Sequence, residues 1–253
     1  MAIVLHAPAK RFAASSKSLA NTLLNLITPR ECFQCGSVGA WLCARCTASL
    51  PLLHPIPCPR CQRPTTAGSA HIPCKKNLGL EGCLMAANLS HKTMELLLYG
   101  LKYHGLKSAA IPCARLLARA LTENYSLSER PVSAALCPVP LHPQRERERG
   151  YNQARLICKA LSHELSLPLK ELLIRTRATK DQVKLNRAQR LLNLEGAFEP
   201  QTEAALQEQV VFLVDDVVTS GATLKAAASA LRKQWPHLVI WGLAVAYHAH
   251  RNN

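Results

Sequence analysis

The sequence predicts an α/β fold, a parallel sheet flanked by helices, preceded by a small cysteine-rich domain suited to holding a metal ion. Three observations carry that prediction. Residues 210–214 are a β-branched apolar run of the kind that fills a central parallel strand, and a Thr/Ser/Gly turn and a helix follow it. A second apolar run, 132–139 (VSAALCPV), precedes a stretch at 151–165 with Tyr151, Ala154, Ile157, Cys158, Leu161 and Leu165 on or near one helical face. Eight of the eleven cysteines fall in the first third of the chain, mostly as CxxC pairs.

A chain of 253 residues suffices for one α/β domain and a small appendage, and 48% hydrophobic content allows a sizeable core. Lysine and arginine number 31 against 16 acids, a net charge of +15 that favours polyanionic partners: nucleic acid, an anionic membrane surface or phosphorylated small molecules. No run approaches the ~18 apolar residues that cross a bilayer. The opening apolar residues 1–5 are too few for a secretory signal, and Lys10 and Arg11 follow them. Many cysteines without an export signal point to metal binding in a reducing, cytoplasmic setting. Residues 1–30 are expected to form an N-terminal segment with an amphipathic helix at 18–27 (SLANTLLNLI), ended by Thr28-Pro29.

Residues 31–84 make the cysteine-rich domain. Cys32, Cys35, Cys43 and Cys46 form two CxxC knuckles, each presenting two thiolates, which suits tetrahedral Zn²⁺. Cys58 and Cys61 form a third knuckle, with Cys74 downstream. The fourth donor of that group is either Cys83, across a longer loop, or His71, just upstream of Cys74; a site without metal and an interleaved pairing of the knuckles are also compatible with the spacing. Cys113, Cys137 and Cys158 lie in apolar patterns and read as buried small hydrophobes.

Residues 85–253 form the body, with 85–125 a helical cap. In the cap, Met94, Leu97, Leu98 and Leu101 have helical spacing, and Ile111, Leu116, Leu117, Ala120 and Leu121 resume it. The break between them, LKYHGLKS, brings Lys102, His104 and Lys107 as either phosphate contacts or a solvated loop. After 132–139, a proline-rich turn leads to RERERG, where Arg145, Arg147 and Arg149 carry the charge that a pyrophosphate needs, although Glu146 and Glu148 could neutralise them locally. The stretch 172–198 opens as a short strand and turns basic. It fits a lid that closes over a reactive centre, with Arg175, Arg177, Gln182 and Arg187 as its polar contacts; an amphipathic helix at 182–194 is the plainer alternative.

The most informative string is VVFLVDDVVTSGAT. Asp215 and Asp216 stand at the carboxyl end of a buried strand, where two like charges lose hydration unless something binds them. The turn that follows offers hydroxyls and backbone N–H groups at a helix N-terminus, a favoured anion site. Carboxylates beside a phosphate cradle fit a ribose 5-phosphate. VDDVVTSGAT resembles the phosphoribosyl pyrophosphate (PRPP) loop of type I phosphoribosyltransferases. In that family the paired acids, here Asp215 and Asp216, hold the ribose hydroxyls and are the catalytic candidates. The segment matching Val217, Val218, Thr219, Ser220, Gly221, Ala222 and Thr223 wraps the phosphate, with Arg145 and Arg149 on the pyrophosphate side.

The multi-CxxC head, LKYHG, CPVPLH…R…RGYNQA, LLIRTRAT..Q..L…R..N..GAF and VFLVDDVVTSGAT together resemble the ComF family, which includes GntX-like members, from about Cys32 onward. The resemblance implies a type I phosphoribosyltransferase fold with an N-terminal zinc-binding domain, PRPP with Mg²⁺ as ligand, and a role in natural transformation. There it implies handling of incoming single-stranded DNA in the cytoplasm alongside DNA-import or recombination proteins. Asn77 departs from the family pattern, standing where a last knuckle cysteine is usual. An active phosphoribosyltransferase without a DNA-binding role is the alternative expectation. The low aromatic content, 5%, argues against extensive base stacking.

Overall fold

The apolar run before the paired acids is an inner strand of a four-stranded, all-parallel sheet. The computed structural model describes residues 29–124, 133–177, 194–201 and 206–249. In chain order the elements are α1 (Ala44–Ser49), α2 (Ile72–Leu78), β1 (Gly82–Asn88), α3 (Lys92–Tyr103), a 3₁₀ turn (Lys107–Ala109), α4 (Ala110–Asn124), β2 (Ala134–Pro138) and α5 (Pro143–Arg149). They continue with α6 (Gln153–Leu165), β3 (Leu173–Arg175), β4 (Phe198–Pro200), β5 (Val210–Val218), α7 (Ala222–Gln234) and β6 (Val239–Tyr247). The expected N-terminal helix at 18–27 lies outside the described residues, as do Val132, Gln182 and Arg187.

Strand order is β1-β6-β5-β2. Parallel strands need crossovers and are covered by them, which explains why β5 and β6 are apolar almost throughout. Helices α4 and α6 pack on each other, α4 also on β1 and β6, and α6 on β2 and β5. Helix α7 packs on β5, on α2 and on the antiparallel pair β3–β4. Phe212, Leu213, Val214, Leu243 and Val245 are fully buried at the centre of the sheet. Burial on this scale, at ~25 cal/mol per Å² of apolar surface, is the main force holding sheet and helices together.

Two features differ from expectation. Residues 82–88 are a strand, not the start of a helical cap, so a division after residue 84 falls inside β1. Its run GCLMAAN lacks the β-branched residues that mark a strand, and pairing with β6 decides its state instead. Helix α4 is accordingly part of the body's helical layer. The arginine-rich stretch after the proline turn is a two-turn helix, α5, begun by Pro143 at its first position and ended by Gly150 in the left-handed conformation.

The cysteine-rich head docks on the body through polar ties. Arg119 of α4 donates to the carbonyls of Thr47, Ala48 and Leu50, which caps the end of α1. Trp41 Nε1 donates to Ser108 Oγ at 3.1 Å, and Arg232 of α7 donates to the Gly79 carbonyl from Nε and Nη2. Cys113, Cys137 and Cys158 are fully buried in the core, as their apolar surroundings suggested.

Gly82 is where the head's backbone crosses closest to the sheet. A Cβ there would lie 2.4 Å from the Gly68 carbonyl oxygen and 2.5 Å from the Trp241 ring. The obstruction includes backbone, so Gly82→Ala is expected to destabilise the protein by about 1–3 kcal/mol. Urea denaturation checks this; an unchanged midpoint would show that the approach is not as tight as the structure gives it.

Candidate functional site

Strand β2 ends at Pro138 opposite Val214, whereas β5 runs on to Val218 paired only with β6. The Val139 N–H closes the last contact on that side, donating to the Val214 carbonyl at 2.9 Å. From residue 215 onward one edge of β5 is therefore open, and that edge carries the two aspartates. Successive strand side chains point to opposite faces. Asp216 turns towards α3 and is almost fully buried. Lys102 Nζ, from the last turn of α3, lies 2.6 Å from its Oδ2. Burial opposes charge on Lys102, but the Asp216 carboxylate outweighs it and raises the ammonium's pKa.

Asp215 turns towards Cys83 and Arg175 and remains half-buried by surface area. Burial of the carboxyl group, then repulsion from Asp216, push its pKa up to about 7. Arg175 is driven below its ordinary value by burial and by the Arg145 guanidinium, and Asp215 opposes that shift. The structure thus gathers one arginine from the predicted lid, one from the predicted pyrophosphate segment and the first aspartate at one place. Arg175 also lies over the Phe198 ring, 5.3 Å from its centroid, which ties it to the β3–β4 pair. Arg177 donates to the Glu195 carbonyl. Arg149 is held by Gln153 Oε1, and Asn152 fixes the start of α6 by donating to the Val139 carbonyl and accepting from the Ala154 N–H. An open depression of ≈ 380 Å³ lies along α5, lined by Pro143, Glu146, Arg147 and Gly150 rather than by either aspartate.

Beyond Val218 the chain turns through Thr219, Ser220 and Gly221 into α7. Gly221 is the N-cap, in the left-handed conformation, and has no side chain to cap the helix. The first-turn N–H groups of α7 thus have no capping side chain, as an anion site requires. The buried Ser220 Oγ has no hydrogen-bond partner among the described residues, an orphaned hydroxyl aimed into the same turn. These residues fit a phosphate. The aspartates, one half-buried, fit the hydroxyls and cation that would accompany it.

The cysteines gather in two groups. Cys32, Cys35, Cys43 and Cys46 bring their sulfurs within 4.8 Å of one another. The Ser37 hydroxyl draws Cys35 down to about 5, whereas burial pushes Cys46 up to about 12. The second group is Cys58, Cys61, His71 and Cys74, again with donor atoms within 4.8 Å, and His71 Nδ1 is 3.3 Å from Cys61 Sγ. Cys83, expected as one candidate for the fourth donor, is not part of it. That thiol is fully buried in β1 and packs against Gly242 of β6, where a Cβ would meet its Sγ at 2.9 Å. Four sulfur or imidazole donors this close together fit Zn²⁺, so both groups could hold a metal ion.

Two contributions escaped sequence reasoning. One is Lys102 as the specific partner of Asp216. The other is Pro59, which stands between Cys58 and Cys61 and packs against the turn before α7: a Cβ on Gly221 would lie 3.1 Å from Pro59 Cβ and 3.4 Å from Leu78 Cδ2. Asn77, at the departed knuckle position, instead meets Lys225 of α7 through its Oδ1 at 3.4 Å.

A phosphoribosyl transferase domain model matches residues 152–252. The chain is 31% identical to the DNA utilization protein YhgH of Escherichia coli (strain K12), with 86% of this chain and 98% of that protein covered. It is 37% identical to Competence protein F of Haemophilus influenzae over 53% of this chain and 59% of the relative. To Competence protein ComFC of Bacillus subtilis it is 40% identical over 38% of this chain and 37% of that one. No helix among the described residues is long and apolar enough to cross a membrane.

The raised pKa of Asp215 has a definite sign. The folded state binds that proton more tightly than the unfolded chain, so its contribution to stability is present at low pH and is lost as pH rises from 3.8 through about 7. Melting temperature followed across that window is expected to fall less in Asp215→Asn than in the parent protein. Parallel profiles would contradict the assignment.

Proposed function

The chain belongs to the ComF family, and on that premise we propose that it is a PRPP-binding competence factor that handles incoming single-stranded DNA in the cytoplasm. The observation that carries the ligand is the end of β5: two aspartates with opposite environments, beside an uncapped helix N-terminus and an orphaned Ser220 hydroxyl. In this reading Thr219, Ser220, Gly221, Ala222 and Thr223 surround the 5-phosphate, with Val217 and Val218 behind them. Asp215 is the carboxylate open to the ribose hydroxyls, and Asp216 joins it once Lys102 yields. Arg145 and Arg175, with Arg149 at the end of α5, meet pyrophosphate charge. Mg²⁺, when bound with PRPP, would supply neutralisation of that charge. Zn²⁺ held by the two cysteine groups would fix the head against the body.

Two facts support the DNA part. Relatives covered nearly end to end carry the name DNA utilization protein, and the chain has a net charge of +15. Polyanion binding of this kind falls steeply with salt. DNA-import or recombination proteins are the partners such a role requires. A second reading, an active phosphoribosyltransferase with no DNA role, draws on the placement of Arg175 at the root of the lid and near Asp215.

A ligand of the native state raises the melting point. With PRPP and Mg²⁺ the melting temperature is expected to rise, with single-stranded DNA to rise at low salt and much less at moderate salt, and with both to rise further. No response to DNA at low salt, together with pyrophosphate release from PRPP, would favour the enzyme reading. No response to PRPP would remove the ligand assignment.

A further inference from the structure

Among the described aromatic residues only Tyr99 and Tyr103 are exposed, at 53% and 64%. They stand four residues apart on α3 and so share one face of it. Their ring centroids are 5.0 Å apart and tilted by 48°, and the His104 imidazole lies 5.1 Å from Tyr99. The three rings form a cluster of tilted faces, with Tyr99 in contact with the other two, rather than a closed stack. The buried side of the same helix is made by Met94, Leu97, Leu98 and Leu101, so the tyrosines contribute nothing to the core.

The cluster is bordered by arginine. The Arg149 guanidinium lies 5.7 Å from the Tyr103 centroid, anchored by Gln153, with exposed Arg147 on the same short helix. Lys107 Nζ lies 5.1 Å from the Tyr151 ring centroid, and Tyr151 itself donates its hydroxyl to the Leu101 carbonyl. Of the nearby acids, Glu148 accepts from Gln144 Nε2 at 3.0 Å and Glu95 pairs with Lys92 at 3.0 Å, while Glu146 stands on the same short helix as Arg149.

Exposed flat rings bordered by guanidinium groups match one ligand class. Bases of an unpaired strand stack on the rings while its phosphates meet the cations. A duplex hides its base faces and cannot use the cluster. We propose that Tyr99, Tyr103 and His104 are a base-stacking platform for single-stranded nucleic acid, with Arg149 at its phosphate rim. The proposal rests on the DNA-handling reading above and gives it a location. The adjacent residue, Lys102, reaches Asp216, so the platform sits on the same helix end that contacts the phosphosugar site.

Anisotropy of a labelled twenty-nucleotide oligothymidine, titrated with the full chain at several salt concentrations, tests this. The Tyr99→Ala/Tyr103→Ala variant is expected to bind on the order of ten-fold or more weakly, with an unchanged salt slope because stacking releases no counterions. Tyr99→Phe/Tyr103→Phe keeps the rings and is expected to bind like the parent. An abasic strand of equal length is expected to bind the parent as weakly as oligothymidine binds the alanine variant. Equal affinity of parent and alanine variant, or of parent for the two strands, overturns the platform while leaving DNA binding intact. A lowered melting temperature in the alanine variant without DNA also overturns it, since the rings would then be packing against protein. Absence of binding by the parent at low salt removes the DNA-handling reading itself, and the platform with it.

Discussion

Two adjacent carboxylates at the end of an inner parallel strand set the terms for everything around them. Carboxylates there lose hydration and repel each other, so each needs its own compensation. The alternation of the strand separates them. Asp216 is neutralised by Lys102, which fixes the end of α3 over the sheet. Asp215 stays half-buried, and burial together with repulsion from Asp216 pushes its pKa up to about 7. The early ending of β2 at Pro138 leaves this edge of β5 without a strand partner, so the polar groups there do not face another strand.

The turn between β5 and α7 is supported from outside the sheet. Pro59 and Leu78 of the cysteine-rich head pack on Gly221, Asn77 meets Lys225, and Gly79 accepts from Arg232. The head therefore touches both ends of α7 as well as the turn that precedes it. Because Pro59 lies between two members of the second donor group, a metal held there would stiffen the knuckle that supports the turn. On the other side, Arg119 and Trp41 tie the first donor group to α4 and the turn before it. The same small domain braces two sides of the body.

Local chemistry explains what could be seen in the sequence. The β5–turn–α7 unit was legible because its pattern is short-range: an apolar run, two acids, then a glycine that must adopt a left-handed conformation. The first CxxC group was legible for the same reason. Strand β1 was not, since its residues favour no particular state and only pairing with β6 makes it a strand. His71 against Cys83 was undecidable from spacing, because the choice depends on a fold that buries Cys83 beneath Gly242. Lys102 stood out only as one of three basic residues in a loop; its partner lies 114 residues away, a relation that no local pattern carries. Tyr99 and Tyr103 carried no signal of their own in the sequence; their exposure on the helix sets them apart.

Ligand binding, as proposed, depends on the Asp215–Asp216 end of β5 being a phosphosugar site. Calorimetric titration of PRPP with Mg²⁺ into the parent chain and into the Asp215→Asn/Asp216→Asn variant tests it most directly. Asparagine preserves shape while removing charge, and because Lys102 then loses its buried counter-ion, a melting curve of the variant verifies that it is folded before the titration. Saturable heat in the parent and none in the variant is the predicted result. Equal heats and affinities in the two proteins would contradict it, and would place any PRPP binding away from the end of β5.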